Sequence, residues 1–258
     1  MRSMNIVIIG AGRVGSALSV ALDESGHRLL KIISRSISKA EKLAAMTGCV
    51  SGSELVIPPE TDLVIVAVND DALYTVLHET EMEDNIVIAH TAGSAGLDVF
   101  HKDMNNTGVF YPLQTFTTGR SYDFSSVPLF IEAGSDHSRE VLMSVASSIS
   151  RQVFELDSDK RKYLHLAAVF SCNFVNHMYY AGKEISAMAG MDFSVLLPLI
   201  RETMEKVSDL GPESSQTGPA VRNDKNTIEK HLDLLSFSPD LQKTYRQISD
   251  SIIKKYTG

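Results

Sequence analysis

Ile6-Val7-Ile8-Ile9-Gly10-Ala11-Gly12-Arg13-Val14-Gly15 is the stretch on which the reading of this chain turns. A short β-branched run enters three glycines spaced G-x-G-x-x-G. Val14, Ala17, Leu18, Ala21 and Leu22 then follow at helical spacing as far as Gly26. Strand, glycine turn and helix in that order suit a dinucleotide pyrophosphate. Gly10 permits the tight turn, Gly12 lets the backbone approach the phosphates, and Gly15 lets the helix pack against the strand. The helix N-terminus, with its unpaired amides, faces the negative charge. Arg13 and Val14 lie in the same turn and join the cofactor-binding set. The competing reading is a glycine-rich turn without a ligand; the second strand arriving in order weighs against it.

Working outward, apolar and β-branched runs recur at Ile6–Ile9, Leu29–Ile33, Leu63–Val68, Ile86–Ala89, Val109–Tyr111, Leu129–Ile131 and Val153–Leu156. Ser38-Lys39-Ala40-Glu41 has the form of a capping box opening a second helix, which Gly48 closes. Near-continuous apolar strands alternating with helices imply a parallel sheet covered on both faces. Residues 1–156 are therefore expected to form a doubly wound, mainly parallel α/β domain of the Rossmann type. The second strand ends at Ile33 and runs into Ser34-Arg35-Ser36. NAD sites usually place an acid here to hold the ribose 2′-hydroxyl, but no Asp or Glu occurs between Arg28 and Ala40. Arg35 flanked by two hydroxyls, with Lys39 close behind, would attract a 2′-phosphate, so NADP is the expected cofactor. A solvated loop is the plain alternative for these residues.

Strand signals stop after Leu156. Residues Asp159 to about Gly190 read as one long helix, and a second runs from about Phe193 to Leu210 and ends at Gly211-Pro212. A polar connector spans Pro212 to Asp224, and a helix follows over Lys225–Leu235. Ser238-Pro239 then opens the last helix. Residues 157–258 are expected to be an all-α domain for substrate binding and dimerisation. With 258 residues, 43% of them hydrophobic, the chain can bury a core in each of two such domains. The net charge of −8 comes with no basic block, which argues against nucleic-acid and anionic-membrane surfaces. Cys49 and Cys172 lie at no metal-ligand spacing, so no metal is expected. No apolar run reaches a membrane span and no signal peptide is evident, which points to the cytoplasm.

Ligands of open α/β sheets lie outside the carboxyl ends of the strands. Val68, Asn69 and Asp70 follow one strand, Thr91, Ala92 and Gly93 another, and Gln114 a third, so these loops should line the nicotinamide end. Asn69 and Asp70 could equally cap the next helix. The long helix is apolar nearly all round, which buries a helix in a large core or between subunits. Its polar exceptions include His165, Asn173 and Asn176. At about 100° per residue Asn176 falls roughly 20° from His165 and Asn173 roughly 80° from it, a narrow polar stripe together with Cys172. Polar side chains buried on such a helix need partners, and a cleft between the domains would supply them. Imidazole titrates near neutrality, so His165 is the candidate proton donor when hydride reaches a C=O or C=N bond. Asn173 joins His165 as the candidate catalytic pair, and Asn173 or Asn176, with Gln114, could hold the substrate's polar group; a satisfied core histidine is the plain alternative for His165.

The segment Ile8–Gly15 with Ser34-Arg35-Ser36 resembles the NADP-binding half of the pyrroline-5-carboxylate reductase and deazaflavin-dependent NADP oxidoreductase group. His165-Leu166-Ala167-Ala168-Val169-Phe170-Ser171-Cys172-Asn173 and Thr217-Gly218-Pro219-Ala220-Val221-Arg222-Asn223-Asp224 are similar to a family of provisionally named NADP oxidoreductases. That family joins a Rossmann domain to a helical domain like the C-terminal one of 6-phosphogluconate dehydrogenase. The resemblance implies an NADP-linked oxidoreductase, dimeric through its helical half, and no particular substrate. It departs from the β-hydroxyacid dehydrogenases, which carry a catalytic Lys followed four residues later by Asn. Here Lys160 and Lys162 are followed at that offset by Leu164 and Leu166. Two functions compete, an NADPH-dependent reductase of a small carbonyl or imine and a non-catalytic NADP-binding sensor or partner protein; hydride exchange with a deazaflavin, which needs a second flat pocket, is a third option.

Overall fold

Strand β1 (Asn5–Ile9) alternates its side chains between two cores: Ile6 and Ile8 lie in one apolar cluster, Val7 and Ile9 in another. The same alternation recurs in β4 (Leu63–Val66), where Leu63 and Ile65 face one cluster and Val64 and Val66 the other. A strand apolar at every position belongs in the middle of a sheet covered on both sides. The computed structural model describes residues 2–257 and shows that sheet.

Eight strands stand in the order β3-β2-β1-β4-β5-β6-β7-β8. The others are β2 (Arg28–Ile33), β3 (Val50–Gly52), β5 (Val87–His90), β6 (Thr107–Pro112), β7 (Leu129–Ala133) and β8 (Val153–Glu155). All pairings are parallel except β6 with β7. Helices α1 (Arg13–Glu24), α2 (Ile37–Thr47) and α4 (Asp136–Ile149) contribute to the first cluster, and α3 (Asp70–Glu79) to the second. The strand order reverses between β1 and β4, so the crevice for a ligand opens at their carboxyl ends. The short β3 is absent from the sequence reading because three residues carry too little periodicity.

Local signals place some helix ends and miss others. Gly48 closes α2 in the left-handed conformation at φ +68°, as expected. The expected capping box at Ser38 does not form. Ser36 holds the N-cap position, and Ser38 lies one residue inside the helix. The first helix of the second half is broken into α5 (Ser158–Ala168), a π-helical stretch over Val169–Phe174, and α6 (Val175–Met188). Helix α7 (Leu197–Ser215) is entered through a 3₁₀ turn and kinks at Gly211, φ +77°. Pro212 starts a further turn there instead of a connector, since proline suits a first helical turn. Helices α8 (Lys225–Leu234) and α9 (Pro239–Thr257) complete the chain. Among the described residues no helix is long and apolar enough to cross a membrane.

The chain divides into two compact units, the first ending at Asn173 and the second beginning at Phe174. The first unit thus continues past the boundary read near residue 157 and takes in α5. In the second, the buried residues are few: Ala181, Ser215, Ala220, Ile228, Leu232, Leu235 and Ser249. The burial expected for the long helix is not found within one chain. Tyr163, Leu166, Tyr180 and Met188 are exposed, and Arg161 is the buried residue of α5.

At the glycine turn, a Cβ on Gly15 would run into the Gly10 carbonyl, whereas one on Gly12 would meet nothing within 4 Å. Gly15→Ala should therefore lower unfolding free energy by about 1–3 kcal/mol, the usual cost of overpacking. Gly12→Ala should change it far less. Urea denaturation of the two variants checks the contrast.

Candidate functional site

The turn after β1 is built for close approach. Gly10 adopts φ +113°, and a Cβ there would collide with the Ala67 carbonyl at the end of β4. Its N–H donates to the Ile33 carbonyl at 2.7 Å, which ties the turn to the end of β2. Gly12 is the N-cap of α1 and has no side chain to occupy the first amides. The space beside Gly12 and the free helix N-terminus fit a pyrophosphate, and Arg13 and Val14 form the first turn there. Beyond β2, the Ser34 hydroxyl accepts from the Ser36 N–H at 3.2 Å, curling the loop so that Arg35 is exposed.

The next two strand ends are joined by side chains. Asn69 occupies the N-cap position of α3, but its side chain makes no capping bond. Asp70 accepts from the Ser94 hydroxyl at 2.5 Å, linking the loop after β4 to the loop after β5. Val68, Thr91 and Ala92 are half-buried, and Gly93 is buried. His90, fully buried at the end of β5, holds this loop from inside. Its Nδ1 accepts from the Ala92 N–H and its Nε2–H donates to the Gly96 carbonyl, both at 3.2 Å. Burial lowers its pKa to about 4, and the nearby Arg161 charge works in the same direction, so the ring is neutral.

Helix α5 is anchored by a buried arginine. Arg161 is wholly buried, pairs with Glu132 of β7 at 2.5 Å and donates to the Ala95 carbonyl. Glu132 also accepts from the Ser158 hydroxyl at 2.6 Å. Removing one partner of such a pair typically costs about 3–5 kcal/mol, because the other charge is left buried alone. One turn beyond Arg161, the half-buried His165 comes against β6 and the β5 loop. Its Nδ1 lies 3.0 Å from the Tyr111 hydroxyl, and a Cβ on Gly93 would stand 2.7 Å from the same nitrogen.

The structure thus brings His165 together with Gly93 and with the strand that leads to Gln114. The polar stripe is corrected. A π-helical stretch advances less per residue than an α-helix, so the angles computed for Asn173 and Asn176 do not hold. Cys172, Asn173 and Asn176 are exposed, and Asn176 lies in the second compact unit. Gln114 is exposed and accepts from the Thr115 N–H at 2.8 Å. The sequence reading missed Glu132 and Arg161 as parts of this constellation and gave Tyr111 no role of its own at the end of its strand. An acid in the otherwise apolar Leu129-Phe130-Ile131-Glu132 was the available signal for a buried ion pair. Among the described residues no group of His, Cys, Asp and Glu is arranged to hold a metal ion.

Residues 2–115 match the family model described as a Rossmann-like domain, and residues 127–252 match the domain of unknown function DUF2520. A Bacteroides fragilis protein provisionally named an NADP oxidoreductase is 39% identical over 98% of each chain, with a TM-score of 0.91. The chain belongs to the same family. Two more distant structures share its fold. A reductive aminase from Aspergillus terreus, solved with NADPH and ethyl-5-oxohexanoate, is 11% identical over 98% of this chain and 95% of its own, with a TM-score of 0.72. A 1-pyrroline-5-carboxylate reductase from Streptococcus pyogenes is 17% identical over 98% and 99%, with a TM-score of 0.62. No curated protein sequence matches the chain. The DUF2520 match begins inside the α/β unit and contains Glu132 and Arg161, so in this family member their pair to Ala95 bridges the two matched regions.

Because His90 is neutral in the fold, the unfolded chain binds more protons than the native one between about pH 6.5 and pH 4. Stability is fully present above that window and falls as pH drops through it, by about 3 kcal/mol at 1.36 kcal/mol per pH unit. His90→Gln should flatten this slope. Denaturant titrations of both proteins at steps between pH 7 and pH 4 measure it.

Proposed function

We propose that the protein is an NADP-dependent oxidoreductase that reduces a small carbonyl or imine compound, with His165 as the proton donor. The observation that carries this reading is the His165 imidazole held against Gly93 and Tyr111, at the carboxyl edge of the sheet. Support for the cofactor comes from the glycine turn and from the Bacteroides fragilis relative's name. Gly10, Gly12, Arg13, Val14 and Gly15 would hold the pyrophosphate. Ser34, Arg35 and Ser36 would hold the 2′-phosphate, on the chemistry of a guanidinium and two hydroxyls with no carboxylate between Arg28 and Ala40. Val68, Asn69, Asp70, Thr91, Ala92 and Gly93 would line the nicotinamide half.

NADPH, when bound, supplies the hydride. The chain's own residues do the rest. The β5 loop, braced by His90 and Arg161, keeps its backbone against the imidazole. His165 holds a proton for the oxygen or nitrogen that gains the electron pair as hydride adds. Asn173 and Gln114 are the residues proposed to hold the substrate's polar group.

The working form in this reading is a homodimer through the helical half. Helices α6 and α7 leave Tyr180, Met188, Leu199, Met204 and Leu210 exposed, and exposed apolar faces mark interaction sites. Few residues of that unit are buried, and a second copy offers the same surface in return. Free Cys49 and Cys172 agree with a reducing, cytoplasmic setting.

NADPH should bind more tightly than NADH, and Arg35→Asp should narrow or reverse that preference. Gly12→Val should abolish binding of both, since its side chain enters the phosphate space. Fluorescence titration of the nicotinamides measures all three proteins. Equal affinity of the natural chain for the two nucleotides would remove the 2′-phosphate assignment, and an unaffected Gly12→Val would remove the site itself. Light scattering at micromolar concentration should give twice the chain mass; a monomer would contradict the dimer.

A further inference from the structure

The Tyr111 hydroxyl lies 3.0 Å from His165 Nδ1, joining residues 54 positions apart in the chain. Tyr111 is 8% exposed, and its ring meets the imidazole edge-on, with centroids 6.0 Å apart. We propose that Tyr111 is a positioning residue that fixes His165 as the Nε2–H tautomer and replaces, at Nδ1, the proton that leaves from Nε2. The proposal rests on the reading of His165 as proton donor.

Hydrogen-bond supply decides the tautomer. A neutral imidazole has one donor nitrogen and one acceptor nitrogen, while a phenol has one proton to place. Burial pushes the Tyr111 phenol above its usual range, so it keeps that proton. Among the described residues its hydrogen-bond partner is His165 Nδ1. Were Nδ1 protonated, it would donate to the phenolic oxygen, and the phenol's own proton would turn away from the ring with no protein acceptor among the described residues. With Nδ1 free, the phenol donates and Nε2 carries the ring's proton. Gly93 closes the same side, since an added Cβ would stand 2.7 Å from Nδ1 and 3.0 Å from Tyr111 Cε2. Nδ1 is therefore enclosed by phenol and backbone, and Nε2 is the nitrogen left to meet a substrate.

The proton balance follows. As hydride adds to carbon, the π electron pair of C=O or C=N moves onto oxygen or nitrogen. That atom takes the Nε2 proton, and Nδ1 takes the phenolic proton, leaving a phenolate and an Nδ1–H imidazole. The Arg161 charge favours the phenolate form, opposing the effect of burial. Solvent then returns one proton, and the pair resets.

The test begins without a substrate. In ¹⁵N-histidine-labelled protein, at a pH where the ring is neutral, His165 should show a protonated Nε2 and an unprotonated, hydrogen-bonded Nδ1. Tyr111→Phe keeps the ring but removes the hydroxyl, and should shift the Nδ1 resonance towards that of a free acceptor. A protonated Nδ1 in the natural chain, or an Nδ1 unmoved in Tyr111→Phe, overturns the proposal. Gly93→Ala, which crowds the pair without removing the phenol, should also move Nδ1. With a carbonyl or imine that is turned over, Tyr111→Phe and His165→Ala should each lower turnover about 10²–10⁴-fold. NADPH affinity should stay the same, and the double variant should be no slower than His165→Ala. Multiplying losses would overturn the relay. Loss of the functional reading would show separately, as failure of the natural chain to bind NADPH.

Discussion

The ion pair between Arg161 and Glu132 is the constraint from which the candidate site is built. A guanidinium with no solvent exposure survives only if its charge is met, and here a strand carboxylate and a loop carbonyl meet it. The two partners belong to different parts of the fold, β7 and the loop after β5. Holding both, Arg161 fixes where α5 begins relative to the sheet edge, with Asp157 capping the helix by accepting from the Lys160 N–H. One helical turn later stands His165. Its position against Gly93 and Tyr111 thus follows from an interaction that touches neither residue.

The loop after β5 is braced a second time from within. His90 spans it by bonding Ala92 and Gly96, and a neutral ring is what those two bonds require. Burial outweighs the rest in keeping His90 neutral; the Arg161 charge works with it, while the bond to Gly96 and the Glu132 and Asp70 charges oppose it. A rigid backbone at Thr91, Ala92 and Gly93 is what a positioned imidazole needs on its other side. Two histidines share this corner of the molecule, and their surroundings separate their roles. The buried one braces backbone; the half-exposed one keeps a ring edge available.

The helical half obeys a different balance. Its helices are amphipathic or apolar, yet few of their residues are buried within the unit. A unit of that size buries a smaller share of its surface unaided than a larger domain does, and apolar faces left open ask for another surface. The π-helical stretch at Val169–Phe174 sits where the two compact units meet along the chain. Such stretches recur at functional sites, since they displace side chains that a regular helix would keep in register.

What the sequence by itself determined is local. The run Ile6–Gly15 specified strand, turn and helix because each residue's role there depends on neighbours a few positions away. The alternation of apolar runs with helical spacing specified a two-faced parallel sheet for the same reason. Even Gly48 and Gly211, at the end and break of helices, were legible from backbone preference alone. Tertiary structure decided the rest. Glu132 and Arg161 are 29 residues apart and Tyr111 and His165 are 54 apart. Those pairs exist because strand order places β5, β6 and β7 side by side beneath the start of α5. The angle of Asn173 and Asn176 was likewise beyond the pattern, because a π-helical stretch breaks the 100° advance on which it was computed. Linear periodicity records which face of an element is apolar, and it carries no information about which distant element that face will meet.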